Sequence, residues 1–333
     1  MERTEKNRPD PALKKRIQEL IALQGGETGA NPDLVEDIIV NALKLLKDVK
    51  DRGDARVIRT AVRELRYAFR LFAPYRDTRK VAIFGSARTE PARAEYREAV
   101  EFARLMAAAG FMVITGAGPE RSFGANIRLP WEQSANPIIE NDKKLIHFKY
   151  FFTRKLTFVR HSDALALFPG GFGTLDEGFE ALTLMQTGKG RLVPLVLLDR
   201  PGGNYWKTWD KNVREQLLRA DLISPEDLHL YQIADSAAHA VRIITRFYRN
   251  YHSSRFVKDL LVIRLKNVPP PSALQGLNDD FADIISGEKF QAIEATPQER
   301  EDGDCPDLAR IAFGFDRRQY GRLRQLIDVL NCF

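Results

Sequence analysis

The stretch "DALALFPGGFGTLDEGFE", Asp163–Glu180, decides the fold of this chain. It begins with a short apolar run, passes through three glycines and continues into an amphipathic segment. A buried strand that leads through a glycine turn into a helix fits this order, and the free amides at the start of such a helix can bind an anion. A capping box also fits, in which the Thr174 hydroxyl bonds the third helical amide and Glu177 reaches back to the Thr174 amide. Both interpretations stay open on local pattern, although the capping box leaves the glycines unexplained.

Apolar runs of the same kind recur along the chain and alternate with amphipathic stretches. Continuous apolar strands separated by helices predict a parallel sheet that is covered on both faces. Ligands bind beyond the carboxyl ends of such strands. We therefore predict an α/β, Rossmann-like fold with the glycine turn, Pro169–Gly173, at its binding edge. The other predicted strands are Val81–Ala87, Phe111–Ala117 and Val193–Asp199.

The two ends of the chain differ from this central region. Residues 1–78 show helical apolar spacing and are predicted to form an N-terminal helical extension. Within the central region, Leu175–Thr187 is predicted to be a helix. Residues 79–250 form the predicted Rossmann-like domain. Residues 251–333 are predicted to form a small α+β domain, with strands at "LLVIRL" and "LARIAFGF".

Composition limits the class of protein. The 333 residues are 44% hydrophobic and 29% charged, as in a soluble globular protein, and they contain neither a run of about 18 apolar residues nor a signal-peptide pattern. We therefore expect a cytoplasmic protein with no membrane partner. Two cysteines, Cys305 and Cys332, exclude a disulfide framework, and the five histidines include no HExxH pair. No metal is predicted, and the net charge of +6 favours anionic ligands in general.

The common nucleotide-loop patterns are absent from the glycine turn. A P-loop requires GxxxxGK[ST], and no lysine follows Gly173. A dinucleotide fingerprint requires GxGxxG, and Asp176 occupies the third glycine position. Any anion site here must therefore rest on the free amides and the dipole of the following helix.

Two motifs, in order and at the expected separation, resemble the LOG-type phosphoribohydrolases, a family formerly mislabelled as lysine decarboxylases. "PGGFGTLDE" is similar to the family's PGGxGTxxE motif. Upstream, "FFTRKLTFVRHSDALA" carries an Arg-Lys pair at Arg154 and Lys155, followed by a serine and an aspartate. The resemblance covers about residues 80 to 248, and "NIRLPWEQSANP" resembles the longer bacterial branch. Phe151 and Phe152 stand where the family has Met-His.

The resemblance implies cleavage of the N-glycosidic bond of nucleoside 5′-monophosphates to free base and ribose 5-phosphate. It implies AMP or a modified adenine nucleotide as substrate, no cofactor and a homodimer. Arg154 and Glu177 are the implied catalytic pair, since a carboxylate can stabilise an oxocarbenium ion and a guanidinium can bind phosphate or the departing base. The candidate phosphate- and substrate-binding residues are Gly85, Ser86, Lys155, Gly170, Gly171, Phe172, Gly173, Thr174, Asp176 and Thr183.

Several of these residues keep an ordinary structural interpretation. Arg154 and Lys155 also fit the solvated start of a helix, and Thr183 also fits an ordinary helical position. Ser86 is either a helix cap or a further phosphate donor. We expect His147 and His161 to be structural.

The connection after the second strand departs from the family pattern. Only Pro119–Arg121 separates "VITGAG" from "SFGANI", which itself reads as a strand. A parallel crossover needs about a dozen residues, and the family places a helix here. Either this helix is truly lost, which would put one wall of the site in doubt, or the sequence as written omits a segment between the two strands. The family-like flanks favour the second alternative.

The alternative function is a non-catalytic nucleotide sensor or a single-stranded nucleic-acid-binding protein on a related fold. The positive charge favours it, but the sequence lacks the interleaved basic and aromatic residues of a stacking platform, so nucleic acid is not the expected partner. A pyridoxal-phosphate decarboxylase needs a Schiff-base lysine with an acidic partner for the ring nitrogen. No stretch singles out such a pair.

Overall fold

The computed structural model describes residues 10–25, 31–86, 88–115, 122–127 and 144–333. The described residues up to Arg66 form one compact unit, and those from Tyr67 onward form another. The N-terminal region is helical, as its apolar spacing predicts. Its helices are α1 (Pro11–Leu23), α2 (Pro32–Asp48) and α3 (Arg52–Phe72).

A parallel sheet forms the centre of the second unit. Its described strands are β1 (Lys80–Phe84), β2 (Met112–Thr115), β3 (Ser122–Ile127), β4 (Leu145–Phe148), β5 (Ala164–Leu167), β6 (Leu195–Leu198) and β7 (Tyr231–Ala234). They lie in the order β4-β3-β2-β1-β5-β6-β7, and every neighbouring pair is parallel. The chain thus moves outward from β1 to β4 and then returns to the other side of β1. This makes the β1–β5 border a topological switch point.

Helices cover the sheet because its strands are apolar on both faces. β5 and β6 are buried at every position. α4 packs against α8, and α5 packs on β3 and β4. The helices of this part are α4 (Ala94–Ala108), α5 (Phe151–His161), α6 (Phe172–Gln186), α7 (Tyr205–Asn212) and α8 (Ala237–Phe247). The predicted α/β, Rossmann-like fold class is confirmed.

A second sheet follows, and its strands pair antiparallel. They are β8 (Tyr251–Val257), β9 (Leu260–Leu265), β10 (Gln291–Ile293) and β11 (Ala309–Gly314), in the order β10-β11-β9-β8. The predicted strands "LLVIRL" and "LARIAFGF" are its two central members. The accompanying helices are α9 (Pro271–Asp280), α10 (Pro297–Glu301) and α11 (Tyr320–Leu330).

The connection between β2 and β3 is short. The two strands are parallel neighbours, with Val113 opposite Ser122, although only residues 116–121 separate them. These six residues lie outside the described residues. The two alternatives for this connection, a lost helix or an omitted segment, therefore stay predictions.

Candidate functional site

The site lies where β1 and β5 end side by side at the switch point. Phe84 pairs with Leu167, and the Phe168 amide donates to the Phe84 carbonyl at 2.8 Å. The loops that follow approach each other closely. A β-carbon on Gly85 would lie 3.1 Å from the Phe168 Cβ, and one on Gly170 would lie 3.2 Å from the Ser86 amide nitrogen. A β-carbon therefore has little room at either position.

Helix α6 begins earlier than the capping-box interpretation requires, and that interpretation is wrong. α6 starts at Phe172 with Gly171 as its N-cap, and the amides of Thr174 and Leu175 both donate to the Gly171 carbonyl. The carbonyl that accepts the first helical bonds is thus supplied by a glycine, and Thr174 already lies inside the first turn. A β-carbon on Gly170 would lie 2.1 Å from the Thr174 Oγ1, so the hydroxyl packs on the glycine turn.

The start of α6 presents free backbone amides to an open surface. The amides of Phe172 and Gly173 donate to no acceptor among the described residues. A β-carbon added to Gly171 or Gly173 would meet nothing within 4 Å, and Phe172 is 93% exposed. Amides at the positive end of a helix dipole, with open space in front of them, suit an anion.

Arg154 and Glu177 are brought together from α5 and α6. The Arg154 Nη1 lies 3.6 Å from the Glu177 Oε1, and both side chains are largely buried. The guanidinium is oriented by its Nε, which donates to the Ala125 carbonyl of β3 at 2.9 Å, and by the Phe158 ring, 4.9 Å below it. The solvated-helix interpretation of Arg154 is therefore wrong.

Burial sets the electrostatics of this pair. It raises the pKa of Glu177 to about 7, and the attraction of Arg154 offsets only part of the effect. Burial also lowers the pKa of Arg154, against the opposing effect of Glu177. Perturbed carboxylates in such positions are candidates for acid–base chemistry, because both protonation states are populated near neutral pH.

Lys155 bridges two carboxylates instead of facing the free amides of α6. Its Nζ lies 2.6 Å from the Asp176 Oδ2 and 3.2 Å from the Glu180 Oε2. Burial lowers the pKa of Lys155, but the hydrogen bonds that its ammonium donates to Asp176 and Glu180, together with their negative charge, outweigh burial, and the pKa is raised. The Lys155–Asp176 ion pair thus joins α5 to α6 at the positions next to Arg154 and Glu177 in sequence.

Two other predicted residues lie apart from the pair. Thr183 is exposed on α6, about 9 Å along the helix axis from Glu177, and its carbonyl accepts the Thr187 amide and hydroxyl. The Ser86 hydroxyl accepts the Arg88 amide at 3.1 Å and closes the turn after β1. It is not a helix cap, because α4 begins only at Ala94.

The aspartate of the second motif, Asp163, lies at the amino ends of the strands, whereas the glycine turn lies at their carboxyl ends. The Asp163 Oδ2 accepts the Lys80 amide at 2.9 Å, where β1 and β5 begin. Its described contacts are structural.

Three contacts of the site were not predicted from the sequence. They are the Ala125 carbonyl at Arg154, the Phe158 ring below it, and the Tyr205 hydroxyl, which donates to the Gly170 carbonyl at 2.6 Å. A backbone carbonyl leaves no trace in side-chain pattern. Tyr205 does follow a glycine pair in "PGGNYW", but this spacing has no general meaning.

The described part of the chain offers neither a metal-binding cluster nor a membrane-spanning helix. It contains no group of three or more His, Cys, Asp and Glu side chains that could hold a metal ion. None of the described helices is long and apolar enough to cross a membrane.

The fold and the site define an α/β protein with a glycine turn and a buried Arg–Glu pair at a topological switch point. Residues 106–244, which contain both motifs, match the family described as "Possible lysine decarboxylase". Over this segment the resemblance to the LOG family is confirmed.

Two solved structures match about half of this chain at low sequence identity. The molybdenum cofactor binding protein from the phototrophic bacterium Rippkaea orientalis is 19% identical, with a TM-score of 0.34 over 50% of this chain and 96% of that one. The X-ray structure of TM1055 is 21% identical, with a TM-score of 0.33 over 50% of this chain and 99% of that one. No curated protein matches the sequence.

Proposed function

We propose that this protein hydrolyses the N-glycosidic bond of nucleoside 5′-monophosphates and releases free base and ribose 5-phosphate. The observation that carries the proposal is the buried Arg154–Glu177 pair, 3.6 Å apart, because its glutamate lies on α6, the helix whose first amides are free. The match of residues 106–244 to this family supports the same reaction class.

The glycine turn supplies the phosphate end of the site. The 5′-phosphate accepts hydrogen bonds from the amides at the start of α6, next to Thr174. Glu177 follows Phe172 by five residues, about 7.5 Å along the helix axis. A ribose with its 5′-carbon spans such a distance, so that the phosphate at the turn brings the C1′ carbon towards Glu177.

Glu177 supplies the reacting carboxylate. As the bond between C1′ and the base nitrogen breaks, the base leaves with the electron pair and the ribose gains oxocarbenium character. The Glu177 carboxylate stabilises this charge and takes a proton from the water whose oxygen bonds to C1′, and this proton then passes to the departed base. With its pKa raised to about 7, it is a stronger base than an ordinary glutamate and is still ionised in part at neutral pH. Arg154 holds the carboxylate and stabilises the leaving base.

Exposed aromatic residues at the start of α5 suit the base. Tyr150 and Phe152 stack with their ring centroids 5.5 Å apart, two positions from Arg154, and Phe152 is half exposed. An adenine ring can add to this stack, which supports AMP or a modified adenine nucleotide as substrate. Exposed apolar side chains nearby also support a homodimer that covers them, namely Phe151, Leu156, Phe172 and Phe179.

A decarboxylase function is not favoured, despite the description of the family. A Schiff-base lysine needs a lowered pKa to supply a neutral amine. Lys155, the lysine of the described site, has a raised pKa and pairs with two carboxylates.

The test is a panel of nucleoside 5′-monophosphates, with the matching nucleosides as controls. We expect base release from the monophosphates and none from the nucleosides, because the free amides have no phosphate to bind there. Arg154→Ala and Glu177→Gln should lose this activity with the fold intact, whereas Glu215→Gln, at a partly exposed position outside the site, should keep it. Salt-sensitive binding of single strands without base release from any monophosphate would overturn the proposal in favour of a nucleic-acid-binding protein.

A further inference from the structure

Tyr205 reaches the glycine turn from a different part of the chain. It is the first residue of α7, thirty-five positions after Gly170, and its hydroxyl donates to the Gly170 carbonyl at 2.6 Å. Its ring packs edge-on against Trp206, with the centroids 4.8 Å apart. Trp206 is fully buried, and its indole nitrogen donates to the Leu198 carbonyl at 3.2 Å.

Asp199 fixes the backbone of Tyr205. This buried aspartate follows β6, and its two carboxylate oxygens accept the amides of Arg200 and Tyr205, both at 2.9 Å. A β-carbon on Gly203 would lie 2.0 Å from the Asp199 Oδ1, so the loop folds tightly over the carboxylate. Tyr205 is therefore held through its amide by Asp199 and through its hydroxyl by the turn.

The hydrogen bond to Gly170 determines where the next amide points. In a trans peptide the carbonyl and the following N–H point in opposite directions. Since the Gly170 carbonyl faces Tyr205, the Gly171 N–H faces away from α7, in the exposed part of the turn. Both residues of this peptide are glycines, which gives the peptide unusual freedom to rotate when nothing holds its carbonyl.

We infer that Tyr205 is a positioning residue, which orients the Gly171 amide towards the 5′-phosphate of the substrate. This inference rests on the proposed function. Asp199 acts through Tyr205. The Gly171 amide joins the free amides of Phe172 and Gly173, and the three donors together bind the phosphate oxygens.

The experiment measures the binding of ribose 5-phosphate by calorimetry, which needs no catalysis. Tyr205→Phe removes the hydroxyl and should weaken binding roughly three- to tenfold, the range of one hydrogen bond. Tyr231→Phe is the matched control, because it removes a tyrosine hydroxyl that bonds to Asp210 of the same helix α7. We expect this control to bind as the wild type does. With AMP, Tyr205→Phe should raise KM and change kcat little, since the phosphate is held equally in the ground and transition states.

A second variant tests the role of Asp199. Asp199→Asn should also weaken ribose 5-phosphate binding, and its effect should add little to that of Tyr205→Phe in the double variant, because both act on one amide. Full additivity would show that Asp199 acts by another route.

The outcomes separate this inference from the proposed function. Equal affinity of wild type and Tyr205→Phe, or equal weakening in Tyr231→Phe, overturns the inference. Wild type that binds ribose 5-phosphate but releases no base overturns the proposed reaction and leaves the role of Tyr205 in phosphate binding intact. Wild type that binds neither ribose 5-phosphate nor inorganic phosphate overturns both.

Discussion

Glu177 carries an unfavourable charge in the folded protein, and this has a consequence for stability. Its pKa is about 7 in the folded state, against an ordinary value of 4.5. Between these values the folded state binds more protons than the unfolded state, so the free energy of unfolding falls as the pH rises from 4.5 to 7. A group retained despite such a cost is a candidate for function.

We predict that Glu177→Gln removes this decrease in the free energy of unfolding between pH 4.5 and 7, and that it also removes activity. The variant should lose about 10²- to 10⁴-fold in kcat, the range for an acid–base group. Urea unfolding at a series of pH values, for variant and wild type, measures the stability effect. Wild-type kcat should rise with pH through about 7 as Glu177 ionises. A flat kcat between pH 6 and 8 would contradict the role of Glu177 as the base.

His161 shows the opposite pH dependence. Its ring stacks on Phe72 with the centroids 4.3 Å apart, and its Nε2 is buried without a hydrogen-bond partner in the described part of the chain. Burial, assisted by the nearby Arg160, lowers its pKa to about 4 from an ordinary 6.5. The stability that the neutral ring contributes is complete above pH 6.5 and is lost as the pH falls towards 4.

We predict that His161→Phe reduces the loss of stability between pH 6.5 and 4. Phenylalanine keeps the stacking on Phe72 but cannot take up a proton. Urea midpoints at pH 4.5 and pH 7 should therefore lie closer together in the variant than in the wild type. His239→Phe is the control, because that histidine is partly exposed and pairs with the exposed Asp235. Unchanged separation of the midpoints in His161→Phe would show that other groups cause the acid sensitivity.

At the scale of the elements, the glycines of the turn have different roles. We predict that Gly170→Ala destabilises the fold by about 1–3 kcal/mol, because its β-carbon would overlap Thr174 and approach the Ser86 backbone. Gly171→Ala meets open space and should leave the midpoint of urea unfolding near that of the wild type. It should nevertheless weaken ribose 5-phosphate binding, since its methyl group enters the space in front of the amides. Destabilisation by Gly171→Ala without weaker binding would contradict this assignment.

The second sheet depends on a buried carboxylate. Glu299 of α10 is fully buried, and it bonds to Arg264 of β9 at 2.8 Å and to Arg310 of β11 at 3.2 Å. It thereby ties a helix of five residues, too short to be stable alone, to the two central strands.

We predict that Glu299→Ala lowers the free energy of unfolding by about 3–5 kcal/mol, because it leaves two buried guanidinium groups without their shared partner. The exposed Glu301→Ala, on the same helix, should stay within about 0.5 kcal/mol of the wild type. Equilibrium urea unfolding compares the two variants. Equal stability would show that the arginines find other acceptors, such as Asp304, which already contacts Arg264.

At the scale of the whole molecule, the central sheet was predictable because its strands are continuous apolar runs. β2, β5 and β6 lie within the predicted runs, β1 begins one residue before its run, and β3 lies at the predicted "SFGANI". β8 was missed because it reads "YHSSRFV", a polar edge strand that is only partly buried. β10 has three residues, too few to show an alternation.

The motif residues of the site were predictable from the sequence, but the contacts that orient them were not. The pairing of Arg154 with Glu177 follows from two motifs that lie twenty-three positions apart. The first residue of α6 was misplaced, because a threonine followed three residues later by a glutamate is the usual signature of a helix start. Here Gly171 provides the first helical carbonyl instead, and the Glu177 side chain contacts Arg154.

The bond from Tyr205 to the glycine turn also matters for recognising and transplanting this site. Phe151–Glu177 contains both motifs in a single run of chain, yet the turn takes its orientation from a tyrosine beyond that run. A fragment or chimaera that carries only the motif segment would hold every diagnostic residue and still lack an oriented amide. Searches for functional relatives gain from one further criterion, an aromatic hydroxyl about one helix, one strand and one loop downstream of the glycines.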